Sequence, residues 1–207
     1  IVETPSGMIN SIGLANIGVE KYIKEMLPIY EDLSTKIIMN IAGTDISEYV
    51  EILELMESHS SNITGYEINI SCPNVKKGGM EFGVDCDMTS KLTEELRKIT
   101  DRLLIMKLSP NVSDIVSIGK ACQDAGADAV SAINTVVGMS IDAKSGKSNI
   151  FTTYGGLSGP AIKPIGLAAV NKLHNNLSIP IIGMGGIVSS SDVAEYILAG
   201  STSVQVG

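Results

Sequence analysis

The stretch that decides the fold spans residues 103–134 and reads LLIMKLSPNVSDIVSIGKACQDAGADAVSAIN. It begins with one apolar run, Leu103–Leu108, and ends with another at 129–134. Both runs are continuous rather than alternating, which is typical of strands in a parallel sheet that is buried on both faces. Residues 113–125 between them have the spacing of an amphipathic helix, with Ser113 at the N-cap position. The stretch therefore predicts a strand–helix–strand unit of a parallel α/β fold.

The same unit recurs about six times along the chain. Further strands are predicted at 36–42, 66–71, 180–184 and 203–206, and further helices at 45–58, 89–99, 161–175 and 191–199. Alternating strands and helices fit both a doubly wound sheet and a closed (β/α)8 barrel. The barrel is favoured, because polar and glycine-rich residues follow one strand after another, as they do on the catalytic face of a TIM barrel.

The number of units also predicts the extent of the domain. A TIM barrel has eight strands and typically ~250 residues, more than this chain provides. We therefore expect residues 1–207 to form a single domain. This domain would be a TIM barrel that lacks its N-terminal strands and its C-terminal helix. The long connection at 135–160 is interpreted as an active-site insertion.

The composition excludes several classes of protein. Of the 207 residues, 44% are hydrophobic and 18% are charged, and the formal net charge is -8. These values exclude a disordered chain. The acidic balance argues against nucleic acid or an anionic membrane as the main partner, because both are bound by clustered Lys and Arg. The three cysteines are scattered, at 72, 86 and 122, which predicts no disulfide framework and favours a reducing, cytoplasmic location.

Polar side chains recur at the carboxyl ends of the predicted strands, at Asn40, Asn69, Lys107 and Asn134. In a barrel these ends meet on one face, so we expect the four side chains to share a rim. A lysine within an apolar strand is costly unless its charge is used or paired, which favours a functional role for Lys107. Cys72 follows the same rim and could act as nucleophile, base or metal ligand. No His or second Cys lies at ligand spacing, so no metal site is predicted.

Two glycine clusters are candidates for binding a phosphate. The first, GMGGI at 183–187, precedes a helix whose N-terminal N–H groups and dipole favour an anion. It lacks the third glycine of the dinucleotide-binding fingerprint, so a Rossmann fold is rejected. The second, YGGLSGPA at 154–161, could donate further hydrogen bonds from Ser158 and Gly159. Taken alone, it is better explained as a helix start with Pro160 in the first turn.

Six motifs, in this order, resemble those of class 1 dihydroorotate dehydrogenases, most closely the catalytic subunit of the NAD-linked type (class 1B). They are GMINSIGL (7–14), NISCPNVKKGG (69–79), KLSPN (107–111), INT (133–135), GGLSGPAIKP (155–164) and IGMGGI (182–187). The resemblance implies a TIM barrel that binds FMN and oxidises (S)-dihydroorotate to orotate in de novo pyrimidine (UMP) biosynthesis.

The resemblance also implies roles for single residues. Cys72 corresponds to the general base, Asn69 to a residue that contacts both FMN and substrate, and Lys107 to the flavin-binding lysine. Further substrate-binding positions are Asn10, Ser11, Ile12, Gly13, Leu14, Asn134 and Thr135. Further FMN-binding positions are Asn40, Ile133, Gly159, Gly185, Gly186 and Gly207.

The mechanism implied by the resemblance divides the reaction between protein and cofactor. Cys72, as a thiolate, would take a proton from C5 of dihydroorotate, while a hydride passes from C6 to the flavin N5. Lys107, near the N1–O2 edge, would stabilise the negative charge of the reduced flavin. Electrons would reach NAD⁺ through a partner subunit that carries FAD and a [2Fe–2S] cluster, bound to a homodimer core of this protein.

Three alternatives stay open at this point: a fumarate-linked dihydroorotate dehydrogenase, a dihydropyrimidine-oxidising flavin barrel, and a non-redox barrel that binds a phosphate ligand. The segment SCPNVK at 71–76 favours the NAD-linked type. A non-redox barrel would have no need for both Cys72 and Lys107 on one rim.

Overall fold

The computed structural model describes residues 1–59, 62–71 and 82–207, which contain ten strands and seven α-helices. The strands are β1 (Val2–Thr4), β2 (Gly7–Asn10), β3 (Ile37–Ile41), β4 (Ile63–Asn69), β5 (Leu103–Leu108), β6 (Ala129–Ala132), β7 (Val136–Met139), β8 (Tyr154–Ser158), β9 (Ile181–Met184) and β10 (Ser203–Gln205). The helices are α1 (Val19–Glu25), α2 (Leu27–Glu31), α3 (Ile46–Ser58), α4 (Cys86–Ile99), α5 (Ile115–Asp124), α6 (Lys163–His174) and α7 (Ser190–Ala199).

A six-stranded parallel sheet forms the centre of the fold, in the order β10-β9-β6-β5-β4-β3. These are the six strands that the apolar runs predicted, so the parallel α/β prediction is confirmed. The sheet curls with its helices outside, as in a partial TIM barrel. The fold class favoured by the sequence is therefore confirmed.

Alternate residues of each strand face opposite sides of the curled sheet. On β4, the hydroxyl of Tyr66 donates to Glu57 of α3 at 2.7 Å, so Tyr66 faces the helices. Glu67 and Asn69 alternate with Tyr66 along β4 and therefore face the inside of the curled sheet. The outer layer is densely buried, with Tyr66, Leu104 and Met106 at or near zero exposure. This packing fixes the strand register, because a slip by one residue would turn the apolar side chains inward.

A second, four-stranded antiparallel sheet, in the order β1-β2-β8-β7, was not predicted from the sequence. The connection at 135–160, interpreted only as an insertion, contains two of its strands, β7 and β8. β8 could not be predicted from local strand propensity, because glycines such as Gly155 and Gly156 disfavour strands. β8 pairs with the nearby β7 and also with β2, which lies far away in sequence, so only the tertiary structure joins β1 and β2 to this sheet. The short helices α1 and α2 were also not predicted from the sequence.

Four of the seven described helices, α3, α4, α5 and α7, begin at a side-chain N-cap. Asp45 caps α3 by accepting the Glu48 N–H at 3.0 Å, as its position in the sequence suggests. The N-cap prediction for Ser113 is wrong, because Asp114 caps α5 and accepts the N–H groups of both Val116 and Ser117. Within the described ranges, no helix is long and apolar enough to cross a membrane.

Candidate active site

The carboxyl ends of the central strands bring the predicted polar residues onto one rim. The register pairs Asn69 of β4 with Lys107 of β5, so these two inward-facing residues are direct neighbours. Asn134 follows β6, and its Nδ2 donates to the Oδ1 of Asn69 at 3.0 Å. Asn40 lies on β3, opposite Glu67 of β4. The structure therefore places all four polar residues of the predicted rim at the same end of the sheet.

A cavity of about 460 Å³ opens at this rim, between the two sheets. Most of the residues predicted to bind substrate line it: Asn10, Ser11, Gly13, Leu14, Asn69, Asn134 and Thr135. Ile12 does not line this cavity, and its side chain is exposed. The antiparallel sheet supplies one wall through Asn10 at the end of β2 and Gly156 in β8, whose carbonyl accepts from Asn10 Nδ2 at 3.4 Å. The unpredicted sheet is therefore the element that encloses the cavity.

Amide groups are held in fixed orientations on the cavity wall. The Oδ1 of Asn69 accepts hydrogen bonds from Asn134 and from the Ser71 N–H, at 3.0 and 3.2 Å. The Oδ1 of Asn134 accepts the Thr135 N–H at 2.7 Å. Tyr49, fully buried below the rim, donates its hydroxyl to the Asn69 carbonyl at 2.6 Å. Oriented amides that both donate and accept suit a planar ligand with imide or carboxylate edges.

Several lining residues were not assigned a role from the sequence, among them Asn111, Ser71, Val137, Thr152 and Tyr154. Asn111 is the most informative of these. Its Nδ2 donates to the Thr135 carbonyl at 3.0 Å, and its Oδ1 accepts the Val137 N–H at 2.9 Å. It thus ties the loop after β5 to the start of β7. Its place in the KLSPN motif was the available signal.

Lys107 lies over a buried acidic residue, Glu67, which was not predicted from the sequence to be part of the site. Its Nζ is 3.7 Å from Oε2 of Glu67, whose side chain is only 4% exposed. The same carboxylate accepts hydrogen bonds from Asn40 and Ser131, both at 2.7 Å. A lysine in an apolar strand was expected to be either functional or paired. The structure shows that Lys107 is paired, with Glu67, at the rim itself.

The two glycine clusters meet at the carboxyl end of the sheet, where Gly185 follows β9. Gly159, Gly185 and Gly186 all have left-handed φ values, of 95°, 112° and 71°. A Cβ placed on Gly186 would lie 2.7 Å from the Gly159 carbonyl oxygen and 2.9 Å from the Lys163 nitrogen. The two turns therefore touch through backbone atoms, with space for hydrogen only.

An ion-pair cluster locks the same two turns together. Lys163, just after the turn at Gly159, donates to Asp192 of α7 at 2.6 Å, and its Nζ lies 3.0 Å from Glu195. The second carboxylate oxygen of Asp192 accepts the N–H groups of Val188 and Ser189 at 3.0 and 2.8 Å. Asp192, in the first turn of α7, therefore accepts the N–H groups that precede this helix and, through Lys163, connects it to α6.

This cluster predicts an acid-sensitive contribution to stability. The Lys163 ammonium, together with the Val188 N–H and the Ser189 hydroxyl, holds the pKa of Asp192 well below its usual value. The group therefore stabilises the fold above its unfolded pKa of ~3.9, and this contribution is lost as the pH falls further. We expect the free energy of unfolding of Asp192→Asn to fall less steeply than wild type below about pH 4 in urea titrations.

Glu195→Gln is the matched control for this experiment. The Glu195 side chain is 43% exposed, so its pair with Lys163 contributes little to stability. The pH profile of this variant should follow that of wild type. Parallel profiles for Asp192→Asn and wild type would contradict the prediction.

The remaining predicted residues are placed as follows. Asn40 lines a second cavity of about 330 Å³ beside the first, together with Gly13 and Leu14. Ile133 is buried, and its N–H donates to the Met184 carbonyl at 3.1 Å. Gly207 follows β10, at the end of the sheet where Gly185 follows β9. The predicted base, Cys72, lies outside the described residues.

The other two cysteines do not have the surroundings of a base. Burial raises the pKa of the Cys122 thiol to about 12. The pKa of the exposed Cys86 is also raised, by partial desolvation of its thiol and by the nearby carboxylates of Asp85 and Asp87. Thiolates form readily beside cations, whereas Cys122 is fully buried and Cys86, although it begins α4, lies near carboxylates, so neither cysteine is poised for catalysis.

Comparison with known proteins agrees with this arrangement. A family model described as dihydroorotate dehydrogenase matches residues 1–207. Three curated relatives, all named dihydroorotate dehydrogenase B (NAD(+)), catalytic subunit, align with the whole chain. They come from Porphyromonas gingivalis (46% identical, 67% of the relative covered), Geotalea daltonii (47%, 68%) and Geobacillus kaustophilus (48%, 66%). The chain thus spans about two thirds of the length of these relatives. Because the match covers every residue of this chain, the chain belongs to the dihydroorotate dehydrogenase family.

Proposed function

We propose that this chain oxidises (S)-dihydroorotate to orotate in pyrimidine biosynthesis, as the catalytic subunit of an NAD-linked enzyme. Residues 1–207 would act as one FMN-binding barrel domain. The observation that carries the proposal is the joining of three features at one end of the sheet: the amide-lined cavity, the Lys107 ammonium and the two touching glycine turns. The names of the relatives support the same reaction.

The cavity suits dihydroorotate in size and chemistry. Dihydroorotate is a small ring with an imide edge and a carboxylate, and such ligands are held by a few oriented polar groups. Asn69 and Asn134 would bind the ring edges, since their mutual hydrogen bond fixes both amides. Asn10, Ser11, Gly13 and Leu14 would close over the substrate from β2 and the loop that follows. A rigid wall of this kind holds the substrate in one orientation for reaction.

The rim fits a flavin by the chemistry of its donors. Lys107 supplies a cation where negative charge would develop, Asn40 and Asn69 supply amides, and the glycine turns bring backbone atoms together without side chains. These residues, with Ile133 and Gly207, would hold FMN, with the turns at Gly159 and Gly186 nearest its phosphate. When bound, the flavin supplies the hydride-accepting chemistry.

The protein's own part in the reaction is to orient the substrate and to remove a proton. Cys72 would act as the general base and hold the proton taken from C5. Because a free thiol has a pKa of ~8.5, its surroundings must favour the thiolate, or the reaction must favour alkaline pH. The charge of Lys107, whose side chain is only 20% exposed, would stabilise developing negative charge more strongly than a fully hydrated ammonium does.

The electron route to NAD⁺ requires a second subunit. The relatives are named as catalytic subunits, which supports a partner. We propose that this partner carries FAD and a [2Fe–2S] cluster, that it binds a homodimer of this protein, and that the complex is cytoplasmic. The three cysteines of this chain are scattered in sequence and are not expected to hold the cluster.

The test of this proposal is an anaerobic visible spectrum of the full-length protein, before and after addition of dihydroorotate. We expect a yellow protein whose flavin absorbance bleaches on addition of dihydroorotate and returns when an electron acceptor is added. A yellow protein that does not bleach would refute the substrate. A colourless protein that takes up no added FMN would favour the non-redox, phosphate-binding barrel.

A further inference from the structure

The feature that the proposed reaction leaves unexplained is the buried acid beneath the rim. Glu67 lies on β4, two residues before Asn69, and points to the same inner side of the sheet. Its side chain is 4% exposed, whereas that of Lys107 above it is 20% exposed. A carboxylate in such a place is costly unless it is paired and hydrogen-bonded.

Three strands contribute partners to this carboxylate. Asn40 on β3 donates its Nδ2 to Oε2, and Ser131 on β6 donates its hydroxyl to Oε1, both at 2.7 Å. Lys107 on β5 places its Nζ 3.7 Å from Oε2. Glu67 therefore connects to every strand from β3 to β6. Two of its partners, Asn40 and Lys107, are among the residues expected to bind FMN.

This geometry has an electrostatic consequence at the rim. The ammonium of Lys107 lies toward solvent and the carboxylate of Glu67 lies deeper, so the pair forms a dipole whose positive end faces the flavin site. The carboxylate offsets part of the lysine's charge, and it restrains the side chains of both Lys107 and Asn40. In a site of low dielectric, a charge a few ångströms away changes the energy of a neighbouring anion substantially.

We propose that Glu67 is a positioning residue that holds Lys107 and Asn40 in place and lowers the reduction potential of the bound flavin. This inference rests on the proposed function, because it requires a flavin at the rim. The physical reason is the sign of the charge: a carboxylate near the ring opposes the electrons that reduction adds, whereas the ammonium of Lys107 favours them. The two residues would set the potential between them.

The test is the flavin midpoint potential, measured by anaerobic titration against a reference dye with a chemical reductant. Glu67→Gln keeps the size of the side chain but removes the charge; its amide oxygen can accept from Asn40, and its amide N–H can donate to the Ser131 hydroxyl. We expect its potential to become more positive, by about a tenfold change in the two-electron equilibrium constant, or ~30 mV. Lys107→Gln should shift the potential in the opposite direction. Ser131→Ala, which removes a hydrogen bond without removing a charge, should leave it near the wild-type value.

The double variant Glu67→Gln/Lys107→Gln keeps the proposal testable if either single variant fails to fold, because it leaves no unpaired buried charge. Its potential should lie near that of wild type. An unchanged or lowered potential in Glu67→Gln, or a double variant as low as Lys107→Gln, would overturn the role of Glu67. The titration uses no dihydroorotate, so a failure of the substrate assignment leaves its result intact. A wild-type protein that binds no flavin would overturn this inference together with the proposed function.

Discussion

Replacing Cys72 with alanine is expected to lower the turnover of dihydroorotate by about 10²–10⁴-fold, the range that general acid–base catalysis contributes. Alanine removes the thiol that we propose takes the C5 proton. It leaves the amides of Asn69 and Asn134 and the charge of Lys107 in place. The flavin should therefore remain bound, with its visible spectrum unchanged. Stopped-flow measurement of flavin bleaching by dihydroorotate would isolate this step from the later transfer of electrons to the acceptor.

Cys86→Ala is the matched control. It makes the same chemical change at an exposed thiol in the first turn of α4, whose pKa is raised rather than lowered. Its bleaching rate should equal that of wild type. A Cys72→Ala variant that also bleached at the wild-type rate would remove this cysteine from the role of base.

Gly186→Ala is expected to weaken FMN binding by about tenfold or more, which corresponds to a loss of ~1.4 kcal/mol. The new Cβ would lie 2.7 Å from the Gly159 carbonyl and 2.9 Å from the Lys163 nitrogen, both of which are backbone atoms. The two turns must move apart to accept it, and the site proposed for the phosphate is disrupted. Riboflavin, which lacks the phosphate, should lose less affinity. Quenching of flavin fluorescence by the apoprotein would measure both affinities.

Gly146→Ala separates the clash from the backbone strain. Gly146 has a φ of 68°, close to the 71° of Gly186, but a Cβ there would meet nothing within 4 Å. Both variants carry the cost of a left-handed alanine, ~1–2 kcal/mol, but only Gly186→Ala pushes the two turns apart. Gly146→Ala should bind FMN as wild type does. Equal losses of FMN and riboflavin affinity in Gly186→Ala would argue against a phosphate at these turns.

The parallel sheet was predictable because its middle strands, β4, β5 and β6, are buried on both faces. Burial on both faces leaves a local signal, a continuous apolar run such as Leu103–Leu108, which needs no knowledge of the partner strand. The rim followed from the same signal, because parallel strands all end on one side. A polar residue at the end of each run, such as Asn69 or Lys107, therefore had to meet its neighbours.

The sequence by itself determined the order of strands and helices, the polar rim and the family to which the chain belongs. Only the tertiary structure decided how the site is enclosed and supported. The antiparallel sheet pairs β2 with β8. The carboxylate of Glu67 accepts a hydrogen bond from the hydroxyl of Ser131, which lies 64 positions further along the chain. The pair of Lys163 and Asp192 likewise joins two separate helices. Glu67 interrupts an apolar strand, and Asp192 resembles an ordinary helix-capping residue. The sequence around each therefore does not indicate that its partner is Ser131 or Lys163. Such contacts depend on which strands and helices become neighbours in space, and short-range patterns do not encode that.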